Sequence, residues 1–209
     1  MKIIKPSFQI EQELNQENIL KSIERAGRTC YKSEHLVNDN SAEKFVKAII
    51  KRGHESVIEH EKITVRIICD RGVSHEIIRH RIASYSQEST RYCNYCNDKF
   101  GNELTFIEPC FFNSESEEDK KNKEIWLKSM QFIEEQYNML IENGAKPEEA
   151  RSILPNSLKT EIVVTMNLRA WRHFLKLRTD KFAHPQIREI SKMILDEFQI
   201  KLPIIFEDL

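Results

Sequence analysis

The chain has 209 residues, of which 40% are hydrophobic and 31% are charged, so it can build a core as a single domain over residues 1–209. Its net charge of −1 argues against bulk electrostatic binding to nucleic acid or to a membrane surface, because nonspecific nucleic-acid binders carry a basic excess. No apolar run is long enough to cross a bilayer and residues 1–6 lack the core of a signal peptide, so a cytoplasmic location is expected.

The N-terminal part predicts an extended arm followed by two amphipathic helices. The first helix has an apolar face that we expect Gly27 to interrupt, and that face carries Ile19, Leu20 and Ile23. The second helix begins at a cap, Asn40, and Glu43 stands three residues later, as in a capping box. Gly53 is placed to end this second helix.

A half-buried strand and a short helix are predicted next. Apolar and polar side chains alternate from residue 62 to residue 69, and the apolar set is Ile63, Val65, Ile67 and Cys69. A short helix from Val73 to about Arg79 follows, with Ser74 or Asp70 as its cap. This helix leads the chain into its most polar stretch.

The middle of the chain predicts one strand and one long helix. Residues 104–107 could form the strand. The helix from about Glu115 to Glu142 is the longest, and Gly144 should stop it. Apolar residues recur along it at three- and four-residue steps, so we interpret this stripe as core: Trp126, Met130, Ile133, Tyr137, Leu140 and Ile141.

The C-terminal part predicts a short helix, a second strand and two further helices. Proline in the first turn favours the short helix over residues 147–151. Residues 162–169 alternate, with an apolar face of Ile162, Val164, Met166 and Leu168 and a polar face of Thr165, Asn167 and Arg169. The last helices begin at Ala170 and Pro185. Strands and helices do not alternate regularly, which predicts an α+β fold with a mixed, largely antiparallel sheet packed with helices.

One arginine falls on an apolar helical stripe. Trp171, Phe174 and Arg178 lie at positions i, i+3 and i+7, so Arg178 should lie on the buried side. A buried arginine must be paired. Its partner could be a bound anion or an acidic base edge, and the alternative is a neighbouring carboxylate.

Residues 79–92 contain three arginines, a histidine, three serines and an amide. The arginine fork matches phosphate and carboxylate oxygens, while hydroxyl and amide groups can bond a sugar or a base edge. This density predicts a pocket for multiply anionic ligands, most simply nucleotides, and a solvated basic turn is the alternative. No glycine-rich phosphate loop occurs, so a dinucleotide would have to be held by side chains.

Within this stretch, Arg79-His80-Arg81 is followed by Ser89 and then by Arg91-Tyr92. The order and spacing of these residues resemble the signature sequence of flavin-dependent thymidylate synthases. Further segments agree in order: Gly53-His54, Glu59-His60, Ala150-Arg151, Leu154-Pro155, Asn167-Leu168-Arg169, Phe174-Leu175 and Leu177-Arg178-Thr179-Asp180. The resemblance runs from about Gly53 to about Ile190. Three positions depart from the family frame: Glu76, Gln87 and His173.

The resemblance implies a thymidylate synthase-complementing type of fold, assembled as a homotetramer with active sites at subunit interfaces. It implies an enzyme that makes dTMP from dUMP with the one-carbon unit of 5,10-methylenetetrahydrofolate. FAD reduced by NADPH would carry the hydride. The residues themselves predict no metal, because the histidines and cysteines lack the spacing of a metal site, and the net charge of −1 predicts no nucleic-acid or membrane partner.

Site residues carry over from the family by motif position. FAD would be contacted by Ser56, Arg79, His80, Arg81, Gln87, Asn167, Leu168, Arg169 and His173, with Glu59 as a further candidate. His54 would lie near the flavin ring and the folate. dUMP would be held by Glu76, Ile77, Ile78, Arg79, Gln87, Glu88, Ser89, Thr90, Arg91, Arg151 and Arg178. Arg178 would be catalytic, because a permanent cation stabilises the negative charge that develops on the pyrimidine. No base lies near Ser89 in the sequence, so Ser89 is interpreted as a phosphate ligand rather than a nucleophile.

Two other functions remain open. A nucleotide- or RNA-binding module could use the same arginines, although the net charge and the scattered aromatic residues weigh against it. A zinc protein could use Cys93 and Cys96, but no second cysteine or histidine pair follows, and reduced structural thiols are preferred. The histidines at 54 and 60 do not have the spacing of a metal motif.

Overall fold

The computed structural model describes residues 1–30, 32–95, 101 and 103–209. The strands in these ranges are β1 (Lys2–Ile4), β2 (Ser7–Ile10), β3 (Lys62–Asp70), β4 (Ser84–Gln87), β5 (Thr105–Ile107) and β6 (Lys159–Asn167). The α-helices are α1 (Gln16–Thr29), α2 (Ser41–Lys51), α3 (Arg71–Ile77), α4 (Glu117–Glu142), α5 (Pro147–Ala150), α6 (Leu168–Arg178), α7 (Pro185–Lys201) and α8 (Pro203–Phe206). Short 3-10 segments cover Glu34–Leu36, Glu55–His60 and Arg151–Ile153.

Two sheets organise the strands. Four strands form a mostly antiparallel sheet in the order β2-β3-β6-β4, while β1 and β5 form a parallel pair with Ile3 opposite Phe106. The predicted α+β class with a mixed, largely antiparallel sheet is confirmed. The predicted alternation along β3 is confirmed as well, because Ile63, Val65, Ile67 and Cys69 are all buried.

The chain divides into two compact units, each assembled from several stretches. The first unit contains Met1–Ser7, Ile67–Arg79 and Ser86–Ile162. The second unit contains Phe8–Arg66, His80–Tyr85 and Val163–Leu209. That the whole chain acts as one domain remains a prediction.

The core of the first unit is built on the long helix α4. Met130 and Tyr137 of this helix are buried against Phe106 and Leu158, and Trp126, Ile133, Leu140 and Ile141 pack on the same cluster. The predicted apolar stripe is therefore core. The helix begins at Glu117, because the hydroxyl of Ser116 accepts a hydrogen bond from the Asp119 amide, 3.1 Å away, as an N-cap.

The core of the second unit is aromatic. Trp171 lies between Phe174 and Phe198, with ring centroids 5.5 Å and 5.4 Å away and the rings nearly perpendicular. The indole N–H of Trp171 donates to the carbonyl of Ile63 at 2.9 Å, which ties α6 to strand β3. Phe206 of α8 closes the cluster against Phe198.

The predicted interruption of the first helix at Gly27 is wrong, because α1 continues to Thr29. Gly27 is buried where α1 packs on α2, and a Cβ atom added there would lie 2.6 Å from Cζ of Phe45 and 3.0 Å from Cγ1 of Val57. Glycine is thus required for close packing of two helices and not for a turn. By contrast, Gly53 (φ +72°) and Gly144 (φ +90°) follow helix ends as predicted.

The predicted capping hydrogen bond of Asn40 is not formed, Asp70 rather than Ser74 is confirmed as the cap of α3, and one predicted strand boundary is corrected. Asn40 is the N-cap residue of α2, but its side chain makes no capping hydrogen bond. Helix α3 begins at Arg71 because the carboxylate of Asp70 accepts from the Val73 amide at 2.8 Å, so Ser74 lies inside the helix. Strand β6 ends at Asn167, whose side chain caps α6 through the Ala170 amide at 2.8 Å. Leu168 and Arg169 therefore begin the helix and do not extend the strand.

Candidate functional site

A cluster of His80, His173, Phe174 and Arg178, here called the histidine cluster, brings the signature stretch to helix α6. The Nε–H of Arg178 donates to Nε2 of His80 at 3.0 Å. The His80 ring packs edge-on against Phe174, with centroids 4.8 Å apart, and its centroid is 6.0 Å from that of His173. A predicted catalytic arginine and a predicted flavin ligand are thus in direct contact.

The imidazole of His80 is held neutral. Burial, the charge of Arg178 and the neighbouring His173 lower the pKa of His80 to about 4, in that order of importance. A guanidinium N–H can only donate, so Nε2 of His80 must be an acceptor and the ring proton lies on Nδ1. The cluster therefore keeps a permanent cation beside an uncharged aromatic ring.

A second contact fixes the backbone of His80. The hydroxyl of Tyr85 donates to the His80 carbonyl at 2.5 Å. Burial raises the pKa of Tyr85 to about 12, so the phenol stays protonated and remains a donor.

The fully buried arginine of α6 is Arg172, which the periodicity of the sequence did not indicate. Arg178 is only half-buried, although its place on the apolar stripe predicted a buried position. Arg172 is 7% exposed and binds Glu55 and Asp208. Glu55 and Asp208 both lie far from Arg172 in the sequence, so no local pattern identifies them as its partners. The one local signal is that Arg172 stands three residues after Arg169.

Arg79, Arg81 and Arg151 are exposed guanidinium groups. Among the described residues, none of the three makes a side-chain hydrogen bond or an ion pair, whereas Arg28, Arg66, Arg91, Arg169 and Arg172 all pair with carboxylates. Unpaired exposed guanidinium groups are suited to bind phosphate oxygens. These three match the residues predicted to bind the two nucleotides.

The exposed surface of the second unit carries several predicted flavin ligands. His54 and Ser56 are exposed at the 3-10 segment Glu55–His60. Arg169 donates to Glu59 at 2.6 Å, and both side chains are about half exposed. Asn167 uses its side-chain oxygen to cap α6, which leaves its amide group for other contacts.

The predicted nucleotide ligands Gln87 and Glu88 already have protein partners in the first unit. The amide nitrogen of Gln87 donates to Ser74 at 2.9 Å and to Thr160 at 3.1 Å. The carboxylate of Glu88 accepts from Lys159 at 2.7 Å and from the hydroxyl of Tyr95 at 2.9 Å. A ligand can therefore use the carbonyl oxygen of Gln87 more readily than the carboxylate of Glu88.

The hydroxyl of Ser89 lies in a turn and accepts from the Arg91 amide at 3.3 Å. Among the described residues it makes no hydrogen bond to an imidazole or a carboxylate, which agrees with a binding role rather than a nucleophilic one. Arg91 donates to Glu148 at 3.0 Å, and this ion pair is exposed, so a ligand phosphate could replace the carboxylate. Thr90 is buried.

Four further predicted contacts lie at the end of α3 or at the start of α6. Ile77 and Leu168 are fully buried, so a ligand could meet only their backbone atoms. Ile78 is 44% exposed and can contact a ligand directly. Glu76 is half-buried at the same end of α3.

The residues present fit a flavin dinucleotide held by side chains. In the described ranges, no glycine forms a phosphate loop between a strand and a helix, and the arginines that flank His80 have no protein partner. The neutral ring of His80 offers an aromatic surface beside a cation. No group of three or more histidine, cysteine or acidic residues suited to a metal occurs in those ranges. Cys93 forms no disulfide within them, and Cys96 lies outside them.

No helix in the described part of the chain has the length and apolarity to cross a membrane.

Comparison with known proteins identifies the family of the chain. A family model described as thymidylate synthase complementing protein matches residues 14–204. A flavin-dependent thymidylate synthase of Pyrococcus furiosus is 39% identical over 175 residues, which cover 82% of this chain and 68% of that protein. The enzyme of the same name from Geobacter sulfurreducens is 34% identical over 190 residues, or 88% and 78% of the two chains.

A solved structure shares the fold. It is a UMP/dUMP methylase, PolB, from Streptomyces cacaoi, bound with 5-Br dUMP. The TM-score is 0.81 at 20% identity, and the match covers 99% of this chain and 96% of that one. With the family match over most of the sequence, these likenesses show that the chain belongs to the thymidylate synthase complementing protein family.

Proposed function

We propose that this chain is a flavin-dependent thymidylate synthase that converts dUMP to dTMP. The one-carbon unit comes from 5,10-methylenetetrahydrofolate, and NADPH supplies the reducing equivalents. Membership of the family supports the proposal, as do the names of its relatives. The substrate dUMP is supported by the methylase with the same fold, which was solved with 5-Br dUMP.

Bound FAD would supply hydride-transfer chemistry, with NADPH as the source of the hydride and the transferred carbon as the group that is reduced. The residues proposed to hold it are Ser56, Arg79, His80, Arg81, Gln87, Asn167, Leu168, Arg169 and His173, with His54 near the ring. The exposed guanidinium groups of Arg79 and Arg81 suit its two phosphates. Leu168 would contribute backbone atoms, because its side chain is buried.

dUMP is proposed to meet Glu76, Ile77, Ile78, Arg79, Gln87, Glu88, Ser89, Thr90, Arg91, Arg151 and Arg178. Ser89, Arg91 and Arg151 would bind its phosphate, as hydroxyl and guanidinium groups that a phosphate can engage. Glu88 would act mainly through its backbone, since Lys159 and Tyr95 hold its carboxylate.

The proposed mechanism depends on the hydrogen bond that Arg178 donates to His80. Attack by the pyrimidine requires negative charge on its ring, and a guanidinium stabilises that charge without losing a proton. An imidazolium at this position would repel the guanidinium, whereas the neutral imidazole of His80 orients it through an accepted hydrogen bond and adds no charge of its own. We infer that His80 positions Arg178 while preserving its electrostatic effect.

The proposal extends to assembly and location. The enzyme would be a homotetramer with active sites at subunit interfaces, and it would work in the cytoplasm, where its folate and NADPH are available. Light scattering after size exclusion would test the tetramer, because one chain has a mass of 24.8 kDa.

The decisive experiment is an anaerobic assay of the purified protein with dUMP, methylenetetrahydrofolate, FAD and NADPH, followed by detection of dTMP. We expect a yellow protein and dTMP formation that requires FAD. A colourless protein that gains nothing from added FAD and makes no dTMP would overturn the proposal. Nucleotide binding without turnover would instead favour a binding module, and stoichiometric zinc would favour a zinc protein.

A further inference from the structure

Arg172 of α6 joins three separate parts of the second unit. Its guanidinium binds the carboxylate of Asp208 through both terminal nitrogens, at 2.6 Å and 2.7 Å, and also donates to the carbonyl of Ile205. Its Nε donates to Glu55 at 3.1 Å. The side chain is only 8% exposed. The C-terminal segment and the start of the 3-10 segment Glu55–His60 are thus bound to the same buried cation.

The bonds satisfy a charge that burial would otherwise make costly. A buried guanidinium needs paired and well-directed acceptors, because removing one partner leaves an uncompensated charge. The two parallel bonds to Asp208 have the bidentate geometry that guanidinium and carboxylate favour. The hydrogen bond from Arg172 lowers the pKa of Asp208, so this carboxylate is charged at neutral pH.

The same glutamate connects Arg172 to proposed flavin ligands. Glu55 binds Arg172 with one oxygen, and its other oxygen lies 4.0 Å from Nε of Arg169. Arg169 in turn donates to Glu59 at 2.6 Å. The two arginines stand three residues apart on one face of α6, and the two glutamates stand four apart in the facing segment. Cations and carboxylates therefore alternate along the contact, and Ser56 lies between the two glutamates.

This alternation makes the position of Arg169 depend on Arg172. While Arg172 satisfies Glu55, Arg169 is drawn to Glu59. Without Arg172, Glu55 becomes a half-buried carboxylate whose nearest cation is Arg169, and Coulomb attraction would pull Arg169 towards it. Arg169 would then leave its place at the exposed end of the network, where its side chain is 52% exposed and can meet a ligand.

We propose that Arg172 is a positioning residue for flavin binding: it satisfies Glu55 and so keeps Arg169 and the segment carrying Ser56 in place for FAD. The inference rests on the proposed function, since it assigns Arg172 to the site that holds FAD. Arg172 itself touches no ligand. Its effect passes through Glu55 to Arg169.

The test measures FAD affinity by fluorescence titration of the apo-protein for Arg172→Met and for Arg172→Met combined with Glu55→Gln. Arg172→Met should weaken FAD binding by about tenfold, within the range of couplings found in ionic networks. The double variant should recover most of that loss, because a neutral amide no longer attracts Arg169. The kcat at saturating FAD should stay within about twofold, since Arg178 and His80 are untouched.

The matched control is Arg28→Met. Arg28 is also largely buried, and it also binds a glutamate, Glu24, at 2.8 Å in the second unit. This variant should lose thermal stability as Arg172→Met does but should keep FAD affinity within about twofold of the wild type. Asp208→Asn is a second control: it keeps Arg172 and the bond from its Nε to Glu55, so it should leave FAD affinity within about twofold of the wild type.

The outcomes separate the two proposals. If the wild type binds no FAD, the proposed function fails. If the wild type binds FAD and makes dTMP but Arg172→Met binds FAD equally well, only the positioning role fails. The positioning role also fails if adding Glu55→Gln to Arg172→Met restores no FAD affinity. It fails as well if Arg28→Met and Arg172→Met both lose FAD affinity in proportion to their loss of melting temperature. Should Arg172→Met not fold, Arg172→Gln takes its place as a neutral variant that leaves Glu55 without this cation, and unchanged FAD affinity in it would reject the positioning role.

Discussion

The buried imidazole of His80 should make the protein less stable in mild acid. Its folded pKa of about 4 lies below the ordinary value of 6.5, so between these values the unfolded chain binds a proton that the folded chain does not. Stability must then fall as the pH falls from about 6.5 and must level off below about pH 4. The matched perturbation is His80→Gln, whose side-chain oxygen can still accept from Arg178 but cannot titrate.

The size of the effect follows from the pKa difference. A shift of 2.5 units, from 6.5 to about 4, limits the loss to about 3 kcal/mol between pH 7 and pH 4. Because His80 keeps some contact with solvent, we expect roughly 2 kcal/mol of unfolding free energy. His80→Gln should lack this pH-dependent loss of stability. The difference in unfolding free energy between the wild type and His80→Gln should therefore change by roughly 2 kcal/mol between pH 7 and pH 4.

Urea denaturation of the apo-protein at several pH values measures the difference. Both proteins are measured at each pH, because the other carboxylates and histidines contribute equally to the two curves of stability against pH and cancel in the difference. A parallel loss of stability in the two proteins would refute the reasoning. So would an NMR titration in which the His80 ring protonates near its ordinary pKa.

Three further predictions test the site and the packing. Arg178→Ala should lower the rate of dTMP formation by at least about a hundredfold while the protein stays yellow, and near-normal turnover in the assay would reject the role. Ser89→Ala should raise the KM for dUMP about tenfold but leave kcat within about threefold, whereas loss of turnover with dUMP still bound would point to a nucleophile. Gly27→Ala should destabilise the protein by about 1 kcal/mol in urea, because overpacking against Phe45 outweighs the gain in helix propensity. Combining it with Phe45→Leu should cost less than the sum of the two changes, and strict additivity would show that the contact is not the cause.

Local patterns were sufficient for much of the fold. The alternation along β3 determined which side chains are buried, because successive residues of a strand point to opposite faces. The stripe on α4 did the same for Met130 and Tyr137, since residues three and four apart share a helical face. Asp70 was recognised as a possible cap from its type and position alone, and its carboxylate does cap α3.

Other features depend on contacts between distant residues. Gly27 looked like a helix terminator because glycine is a poor helix former, but Phe45 of another helix decides its role. Periodicity favoured burial of Arg178 over that of Arg172. The carboxylates of Glu55 and Asp208 reversed this order, because they pair with the buried guanidinium of Arg172.

Motif spacing and periodicity are local properties of the chain, so they were sufficient to indicate the family, the strand and helix faces, and the residue types predicted to bind two nucleotides. The partners of the charged side chains, by contrast, are set by the folded chain. It joined Arg178 to a neutral His80, bound Glu88 to Lys159, and gave Arg79 and Arg81 no partner among the described residues. The effect of a charge depends on its burial and its neighbours, and folding brings those neighbours from far along the chain.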